Sequence, residues 1–266
     1  MELLAGLLTT FLGLAGSPGI VIDRVATDFL RSQVVKAEIL EVRVDNAPNY
    51  QILLGKVDRI RVAARNVYVL EFLKIEEVDF ETDPISIDPN ALQSGKIILR
   101  QPLQAALRII LNSADINMAL QSPTIQSSFK GLSIDITGTN RGTPEILDLV
   151  NPEVNFLGND RIRLSATLQS QASITKPNPT KLDVSLNAEL KILGGTRLRI
   201  IDPKIELAGT PVPERITKAF AEGLNKLLDL RQLEARGITA RVLKLEVTEG
   251  KMQIIGFAKM DSIPDQ

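Results

Sequence analysis

Four carboxylates, Glu77, Asp79, Glu81 and Asp83, stand at every second position of a 266-residue chain, and residues two apart on a strand share a face. A row of oxygen ligands of this kind is hard-cation chemistry and can in principle hold calcium. Two other readings stand beside it: a plain solvated face, or one half of a cross-strand ion-pair ladder. The ladder reading has a partner in view, because Arg59, Arg61 and Arg65 share parity on a nearby segment. Opposite charges facing across strands stabilise by roughly 0.2–1 kcal/mol per pair. It is the expectation carried forward, and it requires the strand around 58–65 to lie beside the strand around 76–83. Every polar strand face offers carboxylates, so no acid/base couple for catalysis stands out.

Other chemistries are closed by composition. The chain has no His and no Cys, which removes disulfides, thiolate zinc sites, cysteine nucleophiles and His-assisted serine triads together. The segment GTNRGT at 138–143 lacks the spacing of a phosphate-cradling loop and reads as a turn. Acidic and basic residues number 32 and 31, without the basic excess that phosphate-backbone binding needs, so nucleic acid is not an expected partner. We expect no enzyme, no cofactor and no metal. The chain is 44% apolar but only 4% aromatic, with no Trp, so whatever interior it builds is lined by Leu, Ile, Val and Ala.

The elements that must position these residues are mostly strands. In KLDVSLNAELKIL, 181–193, an aliphatic residue recurs at every second position from Leu182 to Ile192 with polar residues between. At about 3.3 Å per residue the eleven-residue pattern spans roughly 36 Å, about twice a typical strand and more than an ordinary sandwich core requires. Period-two patterning also runs from 35 to about 100, where the apolar parity slips by one between Ile75 and Val78. A β-bulge at Glu76-Glu77 is predicted to restore the face. Further strands are predicted at 131–138, 161–170 and 197–208, and a hairpin turning near Glu249-Gly250 closes the chain.

Helical spacing is read in three places. Ile22, Val25, Ala26, Phe29 and Leu30 share one face of the first helix. Leu103, Leu107, Ile110 and Leu111 define the second region, followed by Asn112 and Asp115 as a cap for DINMALQS, with Pro123 closing it. A third helix starts near Pro211 and Pro213 and presents Ile216, Phe220, Leu224 and Leu227. From Leu3 to Ile22 no residue is charged. Leu3, Leu4, Leu7, Leu8, Phe11, Leu12 and Ala15 follow helical spacing, so residues 1–19 read as an apolar leader or an amphipathic helix on a membrane or over a groove. Residues 20–266 read as a single α+β domain.

The runs GKVDRIRVAARNV, IEEVDFETDPISID and LRQPLQAALRIILNSADINMALQSP, with the Pro-led helix and GITARVLKLEVTEGKMQIIGFA, resemble the bacterial LmeA-like phospholipid-binding family. The most specific parts are Thr82-Asp83-Pro84, Gln101-Pro102-Leu103-Gln104, and Asp115-Ile116-Asn117 with Ala119-Leu120. The resemblance implies a tubular lipid-binding architecture: a long, curved antiparallel sheet wrapped around amphipathic helices and enclosing an apolar groove. It also implies an envelope protein that takes phospholipid or another long-chain lipid, and it carries no catalytic motif. The residues expected nearest lipid are Phe29, Leu30, Leu107, Ile110, Leu111, Leu186, Leu190, Phe220, Leu224 and Leu227, around a groove closed by the helix at 213–230. The other partner is a membrane surface, in the periplasm or cell envelope or alternatively at the cytoplasmic face. Two readings compete with a lipid binder: an interaction module with a dry core that docks an unidentified protein, and a lipid hydrolase. An outer-membrane barrel does not fit, because such barrels carry aromatic girdles.

Overall fold

The computed structural model describes residues 27, 30–31, 34–46, 51, 54–93, 98–134, 145–170 and 180–262. In chain order the strands are β1 (Lys36–Asp45), β2 (Lys56–Val57), β3 (Arg59–Leu70), β4 (Leu73–Thr82), β5 (Ile85–Ser86), β6 (Leu103–Asn112), β7 (Leu132–Ile134) and β8 (Glu145–Gly158). They continue with β9 (Arg161–Ser170), β10 (Lys181–Leu193), β11 (Arg197–Leu207), β12 (Thr210–Pro211), β13 (Ile238–Thr248) and β14 (Lys251–Met260). The helices are α1 (Pro89–Gln93), α2 (Ser113–Leu120), α3 (Pro123–Ser127), α4 (Glu214–Leu227) and a 3-10 turn, Leu230–Arg236. Two six-stranded antiparallel sheets carry the fold, ordered β1-β3-β4-β6-β14-β13 and β12-β11-β10-β9-β8-β7, with β2 and β5 as a small pair. The protein is mostly antiparallel β-structure with a few short helices.

The predicted strands at 161–170 and 181–193 have those bounds in β9 and β10, and the C-terminal hairpin turns at Gly250, which has φ 74°. Three readings need correction. The helix over Leu103, Leu107, Ile110 and Leu111 is instead strand β6, paired to both β4 and β14. From Leu107 to Asn112 every residue of β6 is half-buried. A strand screened on both sides loses its alternation, and an apolar run then matches helical spacing by chance. Strand β8, the longest at 14 residues, gave no period-two signal. Its pattern is interrupted at Asn151-Pro152, where the register with β9 shifts and Asn151 takes φ 52°.

The bulge expected at Glu76-Glu77 is absent. Pairing of β3 with β4 runs in step from Arg61↔Glu81 to Tyr68↔Lys74, and the irregularity falls between Tyr68 and Leu70. Both strands slip parity together, so Ala64 faces Val78 below the slip and Val67 faces Ile75 above it. Like meets like without an inserted residue.

Each sheet has its own core. Leu40, Val42, Ile60, Ala64 and Val67 cluster on the first with Leu30 and Met260, while Phe156, Ile162, Leu186, Ala188, Leu190 and Ile200 cluster on the second beneath Ala221 of α4. Helix α4 begins after Pro213, whose φ of −52° suits a helix entry. It turns Thr217 and Ala221 inward, and Asn225 accepts a hydrogen bond from the Ile200 amide at 2.7 Å.

Among the contacts that join the sheets, two devices use side chains as well as backbone. Asn159 and Asp160 both hold left-handed φ, 51° and 56°, which is what a two-residue hairpin turn requires and what Asn and Asp tolerate. The turn aims Asp160 at β13: its amide donates to the Val247 carbonyl at 3.2 Å and its carboxylate accepts from the Val247 amide at 2.9 Å. The Asp160 carbonyl accepts from the Leu190 amide at 2.8 Å. The second device is α2, capped by the Asn112 side chain accepting from the Ala114 amide. Asp115, only 6% exposed at its side chain, pairs with Lys74 of β4 at 2.9 Å. Asn117 donates to the Val154 carbonyl at 3.0 Å and accepts from the Val154 amide at 2.7 Å, binding the helix to β8. The motif Asp115-Ile116-Asn117 is therefore an inter-sheet bracket. Thr82, another motif residue that is buried, accepts from the Ile60 amide at 3.0 Å and ties β4 to β3.

Two outcomes follow for stability. Leu190→Ala removes a side chain that is 7% exposed from the second core and should cost about 2–5 kcal/mol, read as a lower urea midpoint. Lys74→Met leaves the Asp115 carboxylate buried without its partner and should cost about 3 kcal/mol, whereas Lys74→Met with Asp115→Leu should recover most of the loss. Hydrogen bonding to Asp115 raises the Lys74 pKa above its usual 10.5, with burial opposing. That contribution is complete below pH 10.5 and lost as the pH rises through the raised value, which urea titrations across alkaline pH will read.

Candidate functional site

Register places Val42, Val62, Phe80 and Leu107 in one transverse row: Val42 faces Val62, Val62 faces Phe80 and Phe80 faces Leu107 across β1, β3, β4 and β6. Along this row lies a groove of about 740 Å³. The row and Leu40 supply its apolar lining, Ala63 and Ala106 leave room, and Thr27 and Ile255 border it. Thr27 stands one helical turn before Leu30, which is 2% exposed and packs with Leu40, Val42 and Ile60. A second cleft, about 280 Å³ on the other sheet, is polar, with Glu153, Thr167, Asp183 and Glu206 in its lining. Only the first is apolar.

The groove is flanked by charge. Arg65 meets Glu77 and Asp79 at 2.7 Å each, and Arg59 meets Glu81 at 3.1 Å. The rows of guanidinium and carboxylate face each other as expected. The sequence reading missed a third strand: Arg108 of β6 reaches Glu77 at 2.9 Å and Asp79 at 2.7 Å, and these bonds raise its pKa. Arg61 turns the other way, to Asp45 of β1, where Arg43 also binds at 2.8 Å. Arg61 first and Arg43 second hold the Asp45 carboxyl below its ordinary range against a partial burial penalty. Of the row expected from Glu77 to Asp83, Glu77, Asp79 and Glu81 are thus neutralised by three guanidiniums, and Asp83 lies past the end of β4. Among the described residues no three or more acidic side chains stand together where a metal ion would sit.

The residues expected near lipid fall in different places. Leu107 lines the groove, and Leu30 packs in the core beside it. Leu186 and Leu190 are buried in the second core, with Leu111 and Leu224 packed against them. Ile110 is half-buried, opposite Glu77 on one side and Gln253 on the other. Phe220 is 52% exposed on α4. Phe29 and the side chain of Leu227 lie outside the described residues. Val42, Val62 and Phe80 were not singled out from sequence, although the alternation around Val62 and Phe80 was legible; only the register aligns them with Leu107.

No helix among the described residues is long and apolar enough to cross a membrane. No curated protein and no solved structure matches the chain. A family model described as LmeA-like phospholipid-binding matches residues 16–257 of the 266. With nearly the whole sequence covered, the chain belongs to the LmeA-like phospholipid-binding family.

Proposed function

We propose that the protein holds the acyl chains of a phospholipid in the groove over the first sheet and acts without catalysis, as a lipid carrier of the cell envelope that meets membrane surfaces. The groove carries this reading. Its volume, about 740 Å³, is within the roughly 300–1,000 Å³ range of small-molecule sites, and such sites are mostly apolar with a few polar groups at the mouth. The row Val42, Val62, Phe80 and Leu107 supplies the apolar floor, and Arg43, Arg61 and Arg108, each ion-paired to a carboxylate of the sheet, stand in the same lining as its polar border. The absence of His and Cys and the capture of the flanking carboxylates by arginine both favour binding over chemistry. Two open sheets fastened along β13 agree with a tubular lipid-binding architecture, in which the first sheet takes lipid and the second, closed by α4, is a dry core. That assignment moves the expected lipid site away from Leu186, Leu190 and Leu224 and keeps it at Leu107, with Leu30 behind.

The test is lipid loading measured by native mass spectrometry and by titration with a fluorescent phospholipid. Affinity should rise with chain length, by about 0.8 kcal/mol per methylene transferred from water, until the groove is full. Leu107→Glu puts a charge on the floor and should abolish loading, while Lys226→Glu on the exposed side of α4 should leave it unchanged, with melting curves confirming that both variants fold. A wild-type protein that carries no lipid and takes none up, or two variants that load alike, would remove the groove reading and favour the dry-core interaction module.

A further inference from the structure

We infer that the tip of the β10–β11 hairpin and the bulge of β13 together form a docking surface for an anionic membrane. Along the hairpin, Lys191 faces Arg199 and Leu193 faces Arg197. The alternate positions, Leu190 and Ile200, are in the core, so these four side chains share the outward face. Leu193 is 41% exposed, an apolar side chain ringed by three cations. Two cations set directly opposite each other are destabilising in a sheet; Glu189 answers Lys191 at 2.9 Å, which leaves Arg199 for an external anion.

The tip is fastened to β13 by the Val242 amide, which donates to the Gly195 carbonyl at 2.6 Å. At this point the β13–β14 register shifts between Val242 and Lys244. Leu243 is the extra residue and is 66% exposed, next to an exposed Arg241. The nearby carboxylates are engaged: Glu189 with Lys191 at 2.9 Å, Glu246 with Lys244 at 2.8 Å, and Asp229 with Arg231, whose hydrogen bond is the largest cause of an Asp229 pKa lowered to about 2. Arg199 and Arg241 have no partner among the described residues. Two exposed leucines among unpaired guanidiniums match a phospholipid surface, where the leucines enter the acyl boundary and the guanidiniums take phosphates. A polyanion such as duplex DNA would satisfy the cations and leave the leucines in water. This inference rests on the family's phospholipid binding and not on where the acyl chains are held.

The experiment is co-sedimentation of the full chain with vesicles of phosphatidylcholine alone or mixed with phosphatidylglycerol, at low and high salt, with lipid loading from detergent measured in parallel. The wild type should sediment with the phosphatidylglycerol vesicles and release at high salt. Arg199→Gln with Arg241→Gln should weaken binding roughly fivefold per charge removed, and Leu193→Ser with Leu243→Ser should weaken it while leaving its salt dependence. Both double variants should load lipid from detergent like the wild type. Sedimentation indifferent to phosphatidylglycerol, arginine variants that bind vesicles like the wild type, or a preference for duplex DNA over vesicles would each overturn the inference. A wild type that sediments as described yet loads no lipid would support the docking surface and remove the groove reading alone.

Discussion

Neither six-stranded sheet closes on itself, so the molecule depends on how the two are fastened, and the fastening converges on Asp160. One residue supplies an amide to Val247, a carboxylate to the same residue and a carbonyl to Leu190, so β8, β9, β10 and β13 meet at a single left-handed position. Buried backbone groups at the meeting of two sheets have no ladder partner of their own, and each left unpaired would cost about 1–3 kcal/mol. The hairpin turn answers this need because Asn159-Asp160 adopts the left-handed conformation at low cost and carries the carboxylate along. Helix α2 holds the same joint from another side, through Asp115 to β4 and Asn117 to β8.

With the joint fixed, the two sheets can differ. The second is filled from within, its aliphatic face covered by α4 and its longest alternating strand, β10, buried at Leu186, Ala188 and Leu190. The first keeps its central row only half-buried, at Val62, Phe80 and Leu107, and a groove remains over it. A low aromatic content suits both. Branched aliphatics pack a dry core well, and where they line a groove they leave a smooth surface without fixed polar points.

Charge follows the same division. On the first sheet, guanidiniums and carboxylates alternate across β3, β4 and β6 and neutralise each other beside the groove. At the β10–β11 tip, cations face cations. Exposed ion pairs add little stability each, about 0–1 kcal/mol, so the ladder on the first sheet does more to hold register among three strands than to hold the fold together. A one-residue slip toward Val78 would set Arg65 against a valine, and a slip in either direction would turn the apolar row to the wrong side.

The sequence alone settles much of the strand content, because a period of two over ten or more residues admits little else: β9 and β10 have the bounds their alternation predicts, and the arginine row faces the carboxylate row as expected, with the register left to the fold. It also determined the closed chemistries, since absent His and Cys cannot be supplied by folding, and the Asn112 cap, which is local. Tertiary structure decided the rest. β6 lies between two strands with half-buried residues on both parities, so its alternation vanishes and its leucines match helical spacing by chance. β8 was hidden by the shift at Asn151-Pro152. Placing Leu107 beside Phe80, Val62 and Val42, and Arg108 beside Asp79, requires the pairing of strands far apart in the chain, and no local pattern encodes which strand lies next to which. The same holds for Asp160 and Val247, separated by 87 positions: each is ordinary in its own segment, and only folding brings them into the contact that helps to fasten the two sheets.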